Sequence, residues 1–146
     1  MQKLAQLSLI FLMLSVSACQ SASEASTSTA ELRNTLWKLT ELNGKSVQTV
    51  EGQRMASLTL NSGNANARIA TACNSGSAGF TLDGKQLKFG NASSTKMMCP
   101  EEKMQQESAF LKVIADTTHY EINGEVLELY DADNQLLASF HSEYLK

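Results

Sequence analysis

Phe80-Thr81-Leu82-Asp83-Gly84-Lys85-Gln86-Leu87-Lys88-Phe89 decides the fold class. Apolar residues stand at every second position on both sides of Asp83-Gly84, the spacing of a strand with one face inward. An Asp-Gly dipeptide between two such runs predicts a tight β-hairpin. The same rhythm extends in both directions. Upstream, Leu36 to Leu42 reads as a strand that runs into Asn43-Gly44. Ala56 to Asn61 alternates, with Leu58 and Leu60 on one face, and Ser62-Gly63-Asn64 is a turn. From Ala65 to Cys73, the residues Ala65, Ala67, Ile69, Thr71 and Cys73 share a face, which points Cys73 inward with Ile69. Downstream, Tyr120 to Ile122 precedes Asn123-Gly124, Val126 to Tyr130 follows, and a turn at Asp131 to Asn134 leads into Gln135 to Phe140. Many short strands separated by turn residues predict an antiparallel sheet that curls or closes.

Pro100 to Ala115 breaks this rhythm. Pro100 suits the first helical position, and Glu101 and Glu102 complement the positive end of the helix dipole. Met104, Phe110, Leu111 and Ile114 form an apolar face, with Lys103, Gln105, Gln106 and Glu107 on the polar side. One amphipathic helix of about four turns is therefore expected to cover the sheet. The predicted core is Trp37, Leu39, Leu58, Leu60, Ile69, Phe80, Leu82, Leu87, Phe89, Leu111, Ile114, Ile122, Leu127, Leu129 and Phe140.

The first nineteen residues carry a different message. Lys3 is followed by the mostly apolar run Leu4 to Leu14, and Val16-Ser17-Ala18-Cys19 ends it. This resembles a bacterial lipoprotein signal with its lipobox. The resemblance implies removal of residues 1–18 and acylation of Cys19, so the chain meets a membrane through lipid. Two or more acyl chains suffice for stable anchoring, at about 0.8 kcal/mol per buried methylene. Residues 19–31 contain no apolar side chain larger than Ala after Cys19 and read as a flexible tether. The domain is placed at residues 32–146. Gln20 is not Asp, which implies the outer membrane, periplasmic face, of a Gram-negative envelope.

Without residues 1–18 the chain keeps all 15 acidic residues and loses only Lys3 of its 12 basic ones. No basic run or patch is visible, which argues against nucleic acid as a partner. No second apolar stretch approaches the roughly 18 residues that span a membrane. Cys73 and Cys99 remain once Cys19 is assigned to lipid. An even pair in an exported chain favours a disulfide. Two alternatives stand beside it. A reactive thiol would more often show C-x-x-C, and zinc would have to recruit His119 and His141 at irregular spacing. No cofactor or metal is expected.

Two segments carry a second resemblance: Ala72-Cys73-Asn74-Ser75-Gly76-Ser77-Ala78-Gly79-Phe80 and Ser94-Thr95-Lys96-Met97-Met98-Cys99. Together they are similar to the paired motif of the META domain (formerly DUF306), in the manner of its heat-shock lipoproteins. Asn34 to Leu39, Leu42 to Lys45 and Leu127 to Asp131 fit as well, so the likeness runs over about residues 32–142. The first motif is one residue longer here, and Lys96 stands where Arg is common. The resemblance implies an α+β fold: an open or cracked antiparallel β-barrel with one helix, at about residues 100–115, packed against it. A type III secretion pilotin with a lipid-holding barrel is similar. It implies roles in envelope stress, secretion or motility, no enzymatic activity and no catalytic residues, and it carries over the cysteine pair.

The resulting functional expectation is a non-enzymatic envelope lipoprotein in envelope maintenance or stress tolerance. A second reading is a module that holds an acyl chain or hydrophobic peptide between sheet and helix, and a third is a thiol-dependent redox protein. Asn74, Lys96 and Met97 are the candidate contacts to a ligand or an envelope partner. For Met97 and Met98 the simpler reading is a strand with one side chain inward and one near the surface.

Overall fold

The computed structural model describes residues 29–48 and 54–143. The lipobox, Cys19 and most of the expected tether lie outside the described residues. Ten strands and one helix follow in order: β1 Leu36–Leu42, β2 Lys45–Ser46, β3 Ser57–Leu60, β4 Asn66–Ala70, β5 Ser75–Asp83, β6 Gln86–Phe89, β7 Ser93–Ser94, α1 Glu101–Asp116, β8 His119–Asn123, β9 Val126–Tyr130 and β10 Leu136–Glu143. Eight of the strands form an antiparallel ring in the order β1-β10-β9-β8-β6-β5-β4-β3, closed by β3 on β1. The short strands β2 and β7 pair outside it, with β1 and β5.

Closure removes the exposed sheet edges that an open array would leave unpaired. The thinnest join is β6 to β8, where only Gln86 and His119 are paired. Leu87 N–H to Thr118 O (3.0 Å) and Tyr120 N–H to Lys85 O (3.1 Å) complete it. The two strands are offset, so that β6 and β8 overlap only around this pair. The family resemblance implies an open or cracked barrel; the ring here is closed, and β6–β8 is its weakest join.

Turn chemistry explains the hairpins. Asn43 (φ 49°) and Gly44 (φ 74°) are both left-handed, the demand of a type I′ turn, and they join Leu42 to Lys45. At Gly84 (φ 56°) and Gly124 (φ 59°) the glycine is the first central residue, between the pairs Asp83–Gln86 and Asn123–Val126. The two turns therefore centre one residue later than the Asp-Gly and Asn-Gly dipeptides suggest.

Inward side chains meet in one core. Trp37, Leu39, Leu58, Leu60, Ile69, Phe80, Leu87, Ile114, Leu127, Leu129 and Phe140 are buried as predicted. Leu82, Phe89, Leu111 and Ile122 are only partly buried and pack on the margin of that core. Leu82 and Phe89 belong to the β5–β6 hairpin and Ile122 to the β8–β9 hairpin, the two that meet at the β6–β8 join. Trp37 satisfies its indole N–H on Leu32 O at 2.9 Å.

Helix α1 lies over the barrel with Phe110, Val113 and Ile114 buried. Phe110 meets Phe140 of β10 with ring centroids 5.9 Å apart. Three sequence expectations change here. Pro100 is the N-cap (φ −50°, ψ 144°) and not the first helical residue, because its carbonyl accepts the N–H groups of Lys103 and Met104. Met104 is 45 % exposed, outside the apolar face, while Val113 takes an inward position. Strand β4 stops at Ala70 and does not run to Cys73, because Thr71 to Asn74 turns the chain into β5.

The fold also begins earlier than residue 32. Ala30 is buried and its N–H donates to Gly124 O at 2.8 Å, so residues 30 and 31 belong to the domain and not to the tether. Strand directions fix which end this is. The β3–β4, β5–β6 and β8–β9 turns share one end with Ala30. The Thr71–Asn74, Asn43–Gly44 and β9–β10 turns share the other.

Candidate functional site

The two sequence motifs meet at Asn74. The turn before it is built by hydrogen bonds: Thr71 N–H donates to Asn74 O (2.8 Å), and Asn74 N–H donates back to Thr71 Oγ1 (2.7 Å). That closure buries the Asn74 side chain at 4 % exposure. Its Oδ1 accepts the Thr95 hydroxyl and the Met97 N–H, each at 2.8 Å. Its Nδ2 donates to the carboxylate of Glu107 on α1, at 3.0 and 3.2 Å, and to Cys73 Sγ at 3.4 Å. Thr71 Oγ1 lies 2.7 Å from the same carboxylate. One amide thereby uses both donors and both acceptor sites.

A covalent bond reinforces this junction. Cys73 and Cys99 form a disulfide with Cα atoms 6.1 Å apart. It fastens the β4–β5 turn to the residue just before Pro100. The chain from Thr95 to Cys99 therefore needs no strand pairing of its own to hold its place. Thr95 N–H bonds Ser75 O at 2.9 Å, and the asparagine and the disulfide do the rest.

Residues 30–144 match the model of the META domain. The chain belongs to the META domain family. Among solved structures, an NMR structure of a protein from Burkholderia xenovorans is similar, with 21 % identity and a TM-score of 0.62. The alignment covers 78 % of this chain and 85 % of that one. A second NMR structure has 18 % identity and a TM-score of 0.59, over 75 % of this chain and 91 % of the other. At these identities the likeness is one of fold. No curated protein sequence matches.

Within this META domain the three contact candidates separate. Asn74 has no hydrogen-bonding capacity left for a ligand. Lys96 is exposed, and Met97 is 59 % and Met98 96 % exposed. The expectation of a strand with one methionine inward fails, because residues 95–100 run irregularly over the surface. Cys19 lies outside the described residues.

Glu107 and Thr71 are site residues that the sequence reading missed. The residue pattern alone sets Glu107 on the polar side of α1. Yet it stands three residues before Phe110 and seven before Ile114, the spacing that puts all three on one helix face. That spacing was the available signal.

The remaining titratable groups of the META domain are dispersed. His119 is half-buried and stacks on Tyr130, with centroids 5.1 Å apart. His141 sits at the other end of β9–β10, 3.5 Å from Glu125. Among the described residues no three His, Cys, Asp or Glu side chains are grouped to hold a metal ion, and no helix is long and apolar enough to cross a membrane. Tyr130 donates its hydroxyl to Glu128 at 2.9 Å. Burial, this hydrogen bond and the charges of Glu128 and Glu121 push its phenol up to about 12.

Proposed function

We propose that this META-domain protein is a non-enzymatic, lipid-anchored module of the bacterial envelope that serves envelope maintenance or stress tolerance. The observation that carries this reading is the filled and clamped barrel. Trp37, Phe110 and Phe140 occupy its interior, and the family motif residues are bonded to one another. Such a body is suited to present a fixed surface, and its packing supports this reading over an acyl-chain binder.

The cysteines support export. A structural disulfide persists in oxidising compartments and is rare in the cytosol. With both sulfurs in one bond and Cys73 buried, the pair has the character of a staple and not of an accessible redox centre. The lipobox ending at Cys19 and the residue Gln20 support the periplasmic face of the outer membrane. The chain enters the fold at Ala30, so an anchor on Cys19 attaches at the end opposite the Asn74 junction. In that orientation Lys96, Met97 and Met98 belong to the end further from the membrane.

Mass spectrometry of protein extracted from fractionated membranes tests the anchor. The expected product begins at an acylated Cys19 in the outer-membrane fraction. An unmodified amino terminus, or cleavage elsewhere, would overturn the topology. Native mass spectrometry of the detergent-extracted chain tests the filled interior. A fatty acid or lipid that stays bound would favour the acyl-chain reading.

A further inference from the structure

The outer face of β4, β5 and β7 carries an open groove of about 580 Å³. Its register is explicit. Arg68 of β4 stands opposite Thr59 of β3 on one side and Ser77 of β5 on the other, and Ser77 stands opposite Ser93 of β7. A row of hydroxyl and guanidinium groups therefore crosses four strands. Arg54 opens on the same groove and donates to Ser75 Oγ. Gly76 lets β7 lie this close to β5: a Cβ there would clash with Ser93 O.

The chemistry of the lining is one-sided. Two arginines and several hydroxyl and amide groups, Asn66, Ser77 and Ser93 among them, face the groove, and no acidic side chain among the described residues lines it. In a chain of net charge −3 this is a local reversal of sign. Both guanidinium groups open on one surface with no carboxylate beside them, and the guanidinium fork matches a phosphate or a carboxylate. The volume falls within the roughly 300–1,000 Å³ of small-molecule sites, well beyond the needs of a bare ion. No aromatic ring lines the groove, so a nucleobase would find nothing to stack on. The scarcity of large apolar side chains excludes an acyl chain. What fits is a polyol that carries an oxyanion.

We propose that this groove binds an acidic saccharide, its phosphate or carboxylate facing Arg54 and Arg68 and its hydroxyls facing the serine and asparagine side chains. The groove borders the Asn74 junction, sharing Ser75 and Thr95 with it, and lies outside the filled core. It requires neither a metal ion nor a covalent step.

The test is amide chemical-shift titration of the ¹⁵N-labelled mature chain in uncharged detergent, with glucosamine 1-phosphate, galacturonate, glucose and inorganic phosphate as probes. At least one charged sugar is expected to shift the amides of Ser75, Ser77, Ser93 and Thr95 saturably, while glucose does not. A preference for glucosamine 1-phosphate or for galacturonate identifies the oxyanion. Arg68→Gln, an exposed position, is expected to weaken binding about tenfold or more and leave the melting temperature unchanged. Three results would overturn the proposal: no saturable shift with either charged sugar, undiminished binding by Arg68→Gln combined with Arg54→Gln, or inorganic phosphate binding as tightly as the sugar phosphate.

Discussion

Asn74 Oδ1 holds the backbone N–H of Met97 at 2.8 Å, across a sequence separation of 23 residues. The same side chain reaches Glu107 on α1, so a single buried amide joins a hairpin turn, a surface segment and the helix. A group with every bond made is costly to remove, because its partners are left unsatisfied.

Asn74→Ala is expected to destabilise the domain by about 2–4 kcal/mol, since it strands the Met97 N–H and the Glu107 carboxylate. Asn74→Asp keeps the shape but sets a second carboxylate against Glu107. Its loss of stability should be largest near neutral pH and relieved in mild acid, where one of the two is protonated. Urea unfolding at both pH values measures this. A pH-independent loss for the Asp variant would show that the like-charge contact is not formed.

Replacing both Cys73 and Cys99 with Ser should cost roughly 2–5 kcal/mol, mainly through the freer unfolded chain. The segment 95–99 should lose hydrogen-exchange protection before the barrel does, because it has few strand bonds of its own. Native thiol labelling of the unaltered protein should find Cys73 and Cys99 unreactive; free labelling would exclude the bond.

Phe110→Ala should cost about 3–5 kcal/mol, the range for emptying a buried aromatic site. Met104→Gln, on the same helix but exposed, should change stability by less than about 0.5 kcal/mol. Guanidinium melts of the two variants decide whether α1 is anchored by the face seen here or by the one that includes Met104.

Tyr130 makes stability fall at high pH. Its folded-state value is about 12, against 10.0 for an ordinary tyrosine, so the folded chain holds this proton longer than the unfolded chain does. The contribution is fully present below pH 10.0 and is lost as pH rises towards about 12. Tyrosinate absorbance should show one late-titrating phenol that moves to lower pH in Glu128→Gln. Tyr130→Phe should abolish this part of the alkaline loss. A Tyr130 that titrates at the ordinary 10.0 would refute the Glu128 contact.

Local chemistry made the hairpins legible. Asn43-Gly44, Gly84 and Gly124 announce themselves because a left-handed backbone conformation selects glycine or asparagine whatever surrounds it. The helix and most of the core followed from periodicity, since burial on one face repeats every two residues in a strand and about every 3.6 in a helix. The cysteine pair and the META motif were also visible as strings of residues. Other features depend on partners that are remote in the chain. Ring closure sets β1 on β10, with Thr40 bonded to Ser139 O across 99 residues. The half-buried state of Leu82 and Ile122 follows from a seam between hairpins that periodicity cannot locate. Glu107 reads as a solvent-facing glutamate until Asn74 is brought beneath it. Arg54 and Arg68 read as scattered surface charges until β4, β5 and β7 place them on one groove. Backbone propensity acts between neighbours and can be read from them; strand partnership and charge clustering are decided by which distant segments the closed barrel brings together.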